Sequence, residues 1–170
     1  EMPGNDVAQV HRYLDLGAVL EVCHGPMDVL AADAVRELLA FQPGKPVLLA
    51  ETGAVSPRHT GVSPLYAKDL QGMLLHDVLF APFFSGAAGT GEIWFWRDSI
   101  QKPDLWRHFA RFARAVEGID PPAEHFQPAF LDHPRLRIYL LKGESTLLAW
   151  CRDKQNDWRA ELEEGKMPER

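Results

Sequence analysis

Pro46-Val47-Leu48-Leu49-Ala50-Glu51-Thr52-Gly53 is the stretch on which the reading of this chain turns. Its first five residues form a continuous apolar run of strand length, which suits a parallel strand buried on both faces. Upstream, Pro26 opens a helix through Phe41, with Val29, Leu30, Val35, Leu38, Leu39 and Phe41 at helical spacing and Pro43-Gly44 as the stop. Before that helix lies a first strand, Val7 to Tyr13, bounded by turn residues on both sides. Downstream, a polar Gly/Pro/Ser-rich segment from Glu51 to Pro64 leads to a helix expected over residues 65–80 and limited by Pro82. The glycine-rich segment Ser85 to Gly91 enters a third strand, Glu92-Ile93-Trp94-Phe95-Trp96, and Pro103-Asp104 leads a third helix over residues 105–116. Three strand–helix units in succession imply a parallel sheet with right-handed crossovers.

After Pro121-Pro122 the texture changes. Phe130-Leu131, Leu136 to Leu141 and Leu147 to Cys151 read as short strands separated by turn residues, with Trp158 to Leu162 as a fourth. The expected fold is therefore α/β over residues 1–120, followed by the opening of an antiparallel β-sandwich over residues 121–170. Three parallel strands leave open edges and four strands make half a sandwich, so the chain is expected to be a segment of a larger protein.

Composition limits the function classes. The 170 residues are 46% hydrophobic and 25% charged, with 13 Gly and 13 Pro, which excludes collagen-like, coiled-coil and mostly disordered chains. No apolar run approaches the roughly 20 residues that cross a bilayer, so no membrane partner is expected. The net charge of −6 argues against a nucleic-acid partner. Arg107, Arg111 and Arg114 line up as one solvated helix face. The two cysteines, Cys23 and Cys151, form no metal or redox motif, and Glu1-Met2-Pro3-Gly4 resembles neither signal peptide nor tag, which leaves the compartment open.

Alternation along the strands gives the sharpest functional clue, because alternate residues share a face. Gln9, His11 and Tyr13 share one; so do Val47, Leu49 and Glu51, and so do Glu92, Trp94 and Trp96. Each strand thus brings a polar or aromatic group to its C-terminal end, where parallel α/β folds build their sites.

These residues resemble a known group, the (β/α)8 glycoside hydrolases of the clan of cellulases, β-mannanases and β-galactosidases. Val10-His11-Arg12-Tyr13 is similar to the His-x-Tyr that ends the sixth barrel strand. Leu48 to Gly53 is similar to the seventh strand, ending in the nucleophilic Glu, and Glu92 to Trp96 to the eighth, with its sugar-stacking Trp. The resemblance covers residues 5–120 and implies a partial TIM barrel, strands six to eight, with a β-sandwich appended. It further implies retaining hydrolysis of β-glycosides on an oligo- or polysaccharide substrate. Glu51 would be the nucleophile, Tyr13 its hydrogen-bond donor, and His11 a contact to a sugar hydroxyl or to the nucleophile. Trp96, or Trp94, would lie under the sugar ring, while Arg58 and His59 line the cleft. No cofactor or metal is implied. The acid/base of the fourth strand is missing, so the isolated chain is expected to be inactive, its partner being the N-terminal part of the barrel or a second copy.

Plainer readings stand beside these. Glu51 can be the first exposed residue of a loop, His11 and Tyr13 edge-of-core residues, and Trp94 barrel filling. A non-catalytic carbohydrate-binding or structural remnant is the alternative function. The 85–91 segment lacks a phosphate loop's Lys-Ser/Thr and reads as structural, at the end opposite the site. His108, His125 and His133 read as surface or capping residues, and His76-Asp77 and Cys23-His24 lack metal-site spacing. Ser56 and Ser63 lack a nucleophile elbow.

Overall fold

The structure is a computed structural model that describes residues 4–41 and 43–168. Most of the Glu1–Gly4 segment and the last two residues of the charged tail lie outside that range. Strand β1 (Ala8–Leu14) pairs in parallel with β2 (Val47–Ala54), and helix α1 (Met27–Ala40) connects them. Residues alternate along β1 as the sequence predicts. Ala8 and Val10 pack toward the core, and the Arg12 guanidinium grips Glu37 on α1 with Nη1 at 3.0 Å from Oε1. Gln9 and His11 point to the open face.

Helix α2 (Met73–Phe84) begins eight residues later than the expected helix. Pro64–Ala67 form a single 3₁₀ turn, and Asp69 then accepts the free N–H groups of Met73 and Leu74, at 2.8 and 2.9 Å. A carboxylate satisfying two orphan donors fixes the start of a helix. Nor does Pro82 end it. Proline supplies no N–H to the carbonyl four residues before it, yet Val78 O is not orphaned: it accepts the Gly91 N–H at 3.0 Å. A Cβ on Gly91 would stand 2.9 Å from that oxygen, so the glycine is what lets the chain approach.

The third expected strand is reduced to one parallel bridge, Thr52 to Ile93. Thr52 N–H donates to Glu92 O at 2.9 Å and Trp94 N–H to Thr52 O at 3.0 Å, after which the chain turns into a π-helical turn, Arg97–Gln101. Helix α3 (Arg107–Ala115) follows, with Arg107, Arg111 and Arg114 exposed. The parallel sheet therefore has two strands, with a bridge at its edge.

The second sheet is antiparallel, in the order β3 (Gln127–Asp132), β4 (Leu136–Lys142), β5 (Leu147–Asp153). It packs against helices rather than a second sheet: Tyr139, Leu141 and Trp150 share one core with Ala31 and Val35 of α1 and with Leu79 and Phe83 of α2. The expected strand Trp158–Leu162 is instead a π-helical turn, Arg159–Glu163, following a buried Trp158 whose indole N–H donates to Gly25 O at 2.9 Å. Charged groups tie the sheet to the helices. Arg137 clasps Asp28 with Nε and Nη2 at 2.6 and 2.9 Å, and Tyr139 donates to the same carboxylate at 2.8 Å. Arg152 Nε lies 2.9 Å from Asp77 Oδ1. The chain is a mixed α/β protein with a two-stranded parallel sheet and a separate three-stranded antiparallel one. Among the described residues no helix is long and apolar enough to cross a membrane, and both cysteines are free thiols.

Candidate active site

Glu51 reaches the open face by a route that simple alternation does not give. Val47 and Leu49 point into the helix-packed core, so strict period two would send Glu51 there as well. The register shifts between Val10 and His11: Val10 pairs with Leu49 but His11 pairs with Glu51, leaving Ala50 as an extra residue on β2. A bulge of this kind re-aims the residues after it. It turns the Glu51 side chain to the side of His11 and Tyr13, and corrects the expectation that Glu51 shares a face with Val47 and Leu49.

On that side three groups converge. The Tyr13 hydroxyl donates a short hydrogen bond to Glu51 Oε1, and His11 Nδ1 lies 3.7 Å from Oε2. The Glu51 side chain is about one-quarter exposed and that of His11 half exposed, so the carboxylate is reachable from solvent and held from beneath. Burial, followed by the bond to Glu51, pushes the Tyr13 phenol well above its ordinary range, so it stays protonated as a donor. His59 packs its ring edge-on to Tyr13 with centroids 4.4 Å apart.

The loop after β2 is what brings His59 there. Bonds from Ser56 N–H to Gly61 O at 2.8 Å and from Ser56 Oγ to Val62 O at 2.7 Å close it. Inside, Arg58 and His59 both have a φ of 59°. The left-handed region costs a residue with a Cβ roughly 1–2 kcal/mol, so two in succession need an external hold. Asp15, one residue past β1, provides it: its Oδ1 accepts the Arg58 and Gly17 N–H groups, each at 2.8 Å. Asp15 escaped the sequence reading, although Asp15-Leu16-Gly17 carries a turn signal. Tyr66 escaped it too. Its buried hydroxyl accepts the Ala54 N–H at 2.7 Å, and it lies close enough to Gly53 that a Cβ there would sit 2.5 Å from the oxygen.

The aromatic candidates divide. At the Thr52–Ile93 bridge Ile93 packs inward against the core, and the chain turns at Trp94 directly after it. Trp94 and Trp96 are each 54% exposed. Trp96, however, has left the strand for the following turn and lines a recess of about 260 Å³ with Leu75, Leu79, Trp106 and Phe109, whose wall does not include Glu51. Arg58 enters the site through its backbone N–H. A wider cavity of about 640 Å³ opens between the 56–67 loop and residues 98–103, with Tyr66, Asp98 and Lys102 on its wall.

The 85–91 segment and His108 lie outside this cluster and tie elements together. The 85–91 segment enters beside Val47, where Ala88 N–H donates to Val47 O at 2.9 Å, at the end of β2 away from Glu51. His108 is buried rather than superficial: its Nε2 is 2.8 Å from Gln71 O, tying α3 to the start of α2. Comparison with protein-family models, with curated proteins and with solved structures found no match.

Proposed function

We propose that this chain is the C-terminal portion of a (β/α)8 glycoside hydrolase, with β1, β2 and the Glu92–Trp96 segment as barrel strands six to eight. In this reading it takes an oligo- or polysaccharide and hydrolyses β-glycosides with retention. The observation that carries the reading is the tyrosine-held carboxylate at the strand ends, reachable from solvent and with a half-exposed His11 beside it.

Glu51 attacks the anomeric carbon through its exposed oxygen and forms a glycosyl ester, which water then cleaves. Tyr13 restrains the carboxylate through the donated bond. His11 meets a sugar hydroxyl, and Trp94 offers an aromatic face to the C–H side of the ring. Retention needs a second carboxyl about 5 Å from the first to protonate the leaving oxygen. That group belongs to strands this chain does not supply, so the chain acts with the rest of the barrel as its partner. Aryl β-glycoside turnover by the completed barrel tests the reading. Glu51→Gln is expected to reduce it to background, and unchanged turnover in that variant contradicts the assignment.

The exposure of Trp94 and Trp96 favours a second reading, a carbohydrate-binding remnant that keeps the platform without the chemistry. In that case oligosaccharide binding survives Glu51→Gln and no substrate is turned over by either form.

A further inference from the structure

We propose that Asp15 is a positioning residue for the Glu51–Tyr13 pair, acting at a distance through the Arg58–His59 turn; the proposal rests on the reading of Glu51 given above. Asp15 is buried where β1 ends, and its backbone is anchored as firmly as its side chain: its N–H donates to Cys23 O at 3.0 Å and its carbonyl accepts from Ala18 N–H at 3.0 Å. From that fixed point one carboxylate oxygen takes the N–H groups of two different loops, Gly17 after β1 and Arg58 after β2. It thereby fastens together the loops that follow the strands bearing Tyr13 and Glu51.

The hold has a direction. Arg58 and His59 occupy a backbone conformation that neither side chain favours, and the bond to the Arg58 N–H keeps the turn in it. The next residue along, His59, then stands edge-on against the Tyr13 ring, whose hydroxyl engages Glu51. Released, the turn has a reason to relax toward ordinary φ values, and the His59 ring leaves Tyr13. Gly17 guards the same contact from the other side, since a Cβ there would meet Arg58 N at 2.5 Å and Arg58 Cγ at 2.8 Å.

The test is nuclear magnetic resonance on the full chain, reading the Overhauser cross-peaks between the His59 and Tyr13 rings. Those between Tyr139 and Trp150, whose centroids are 5.0 Å apart in the distant sheet, serve as the internal control. Asp15→Asn keeps an oxygen acceptor in place and is expected to retain the His59–Tyr13 peaks. Asp15→Ala and Gly17→Ala are expected to lose them while the control pair is unchanged. If Asp15→Ala does not fold, Gly17→Ala decides. Persistence of the His59–Tyr13 peaks in either folded variant overturns the proposal, as does their loss in Asp15→Asn. No sugar takes part in the measurement, so failure of the glycosidase reading leaves this result standing, and failure here leaves Glu51 a candidate nucleophile.

Discussion

Tyr13 donates to a site carboxylate that is about one-quarter exposed, and a hydrogen bond to a charged group is worth about 1.5–3 kcal/mol. If that stabilisation is felt at the reacting oxygen, Tyr13→Phe slows transfer of a glycosyl group to Glu51 by roughly 10- to 100-fold. Single-turnover kinetics with an activated aryl glycoside measure this, and an unaltered rate means the phenol serves packing alone. Gly53 allows a separate prediction. With a φ of 117° and a Cβ that would meet the Tyr66 hydroxyl at 2.5 Å and Ile93 Cγ1 at 2.9 Å, it admits no side chain without displacement. Gly53→Ala is expected to destabilise the chain by about 2 kcal/mol or more, as overpacked sites do, in urea melts. At this scale the sequence spoke clearly for Tyr13, His11 and Glu51, because residue type and strand-end position are local properties. It was silent on Asp15, whose part depends on loops about 40 residues apart meeting in space, and on Tyr66, whose hydroxyl returns to Ala54 of β2 from the following 3₁₀ turn.

Among the elements, β1 and α1 were legible almost to the residue, since each carries a strong periodic signal bounded by turn residues, whereas β2 runs on to Ala54, into the polar segment expected to begin at Glu51. The bulge at Ala50 was not, because its presence depends on the register with a partner strand. Alternation therefore put Glu51 with Val47 and Leu49, and only the shift restores it to the side of Tyr13. The start of α2 was misplaced because Leu70 shares helical spacing with Met73 and Leu74, whereas Asp69 and the left-handed Gly72 set the true boundary. Trp158 was read as part of a strand, but a large indole with a buried N–H donor fits wherever an acceptor is offered, here Gly25 O. The joint between β4 and α1 yields the element-scale prediction. Asp28 is fully buried, and Arg137 and Tyr139 are its partners. Removing one partner of a buried ion pair strands the other's charge, at about 3–5 kcal/mol. Arg137→Ala should lower stability by that amount in denaturant melts, and a change under about 1 kcal/mol, the size of a surface pair, would mean that water reaches Asp28.

The whole molecule joins two sheets through one helical layer, and its response to acid follows from what lies at that joint. His76 on α2 accepts the Trp150 indole N–H at 3.2 Å and stacks on Phe80. Burial, and then the charges of Arg152, His108 and Arg111, hold its pKa down to about 4. A depressed histidine folds in its neutral form, so its contribution is complete above the unfolded value of roughly 6.5 and is lost as pH falls toward 4. Stability is expected to drop by up to about 3 kcal/mol across that window, and His76→Phe to flatten the slope there. Equal slopes in both proteins would contradict it. The antiparallel sheet was foreseen, but not that it would close over helices. Tyr139, Leu141 and Trp150 look like sandwich-interior residues in sequence, and the surface they meet is chosen only by the fold. The central claim, that Glu51 is the nucleophile, is tested most directly by trapping. A dinitrophenyl 2-deoxy-2-fluoro-β-glycoside needs no acid for departure of its leaving group, so peptide mass mapping after incubation with the completed barrel reads the ester itself. The account predicts one added fluoroglycosyl group on the peptide containing Glu51, absent from Glu51→Gln. A label on any other residue, or one that persists in Glu51→Gln, contradicts it.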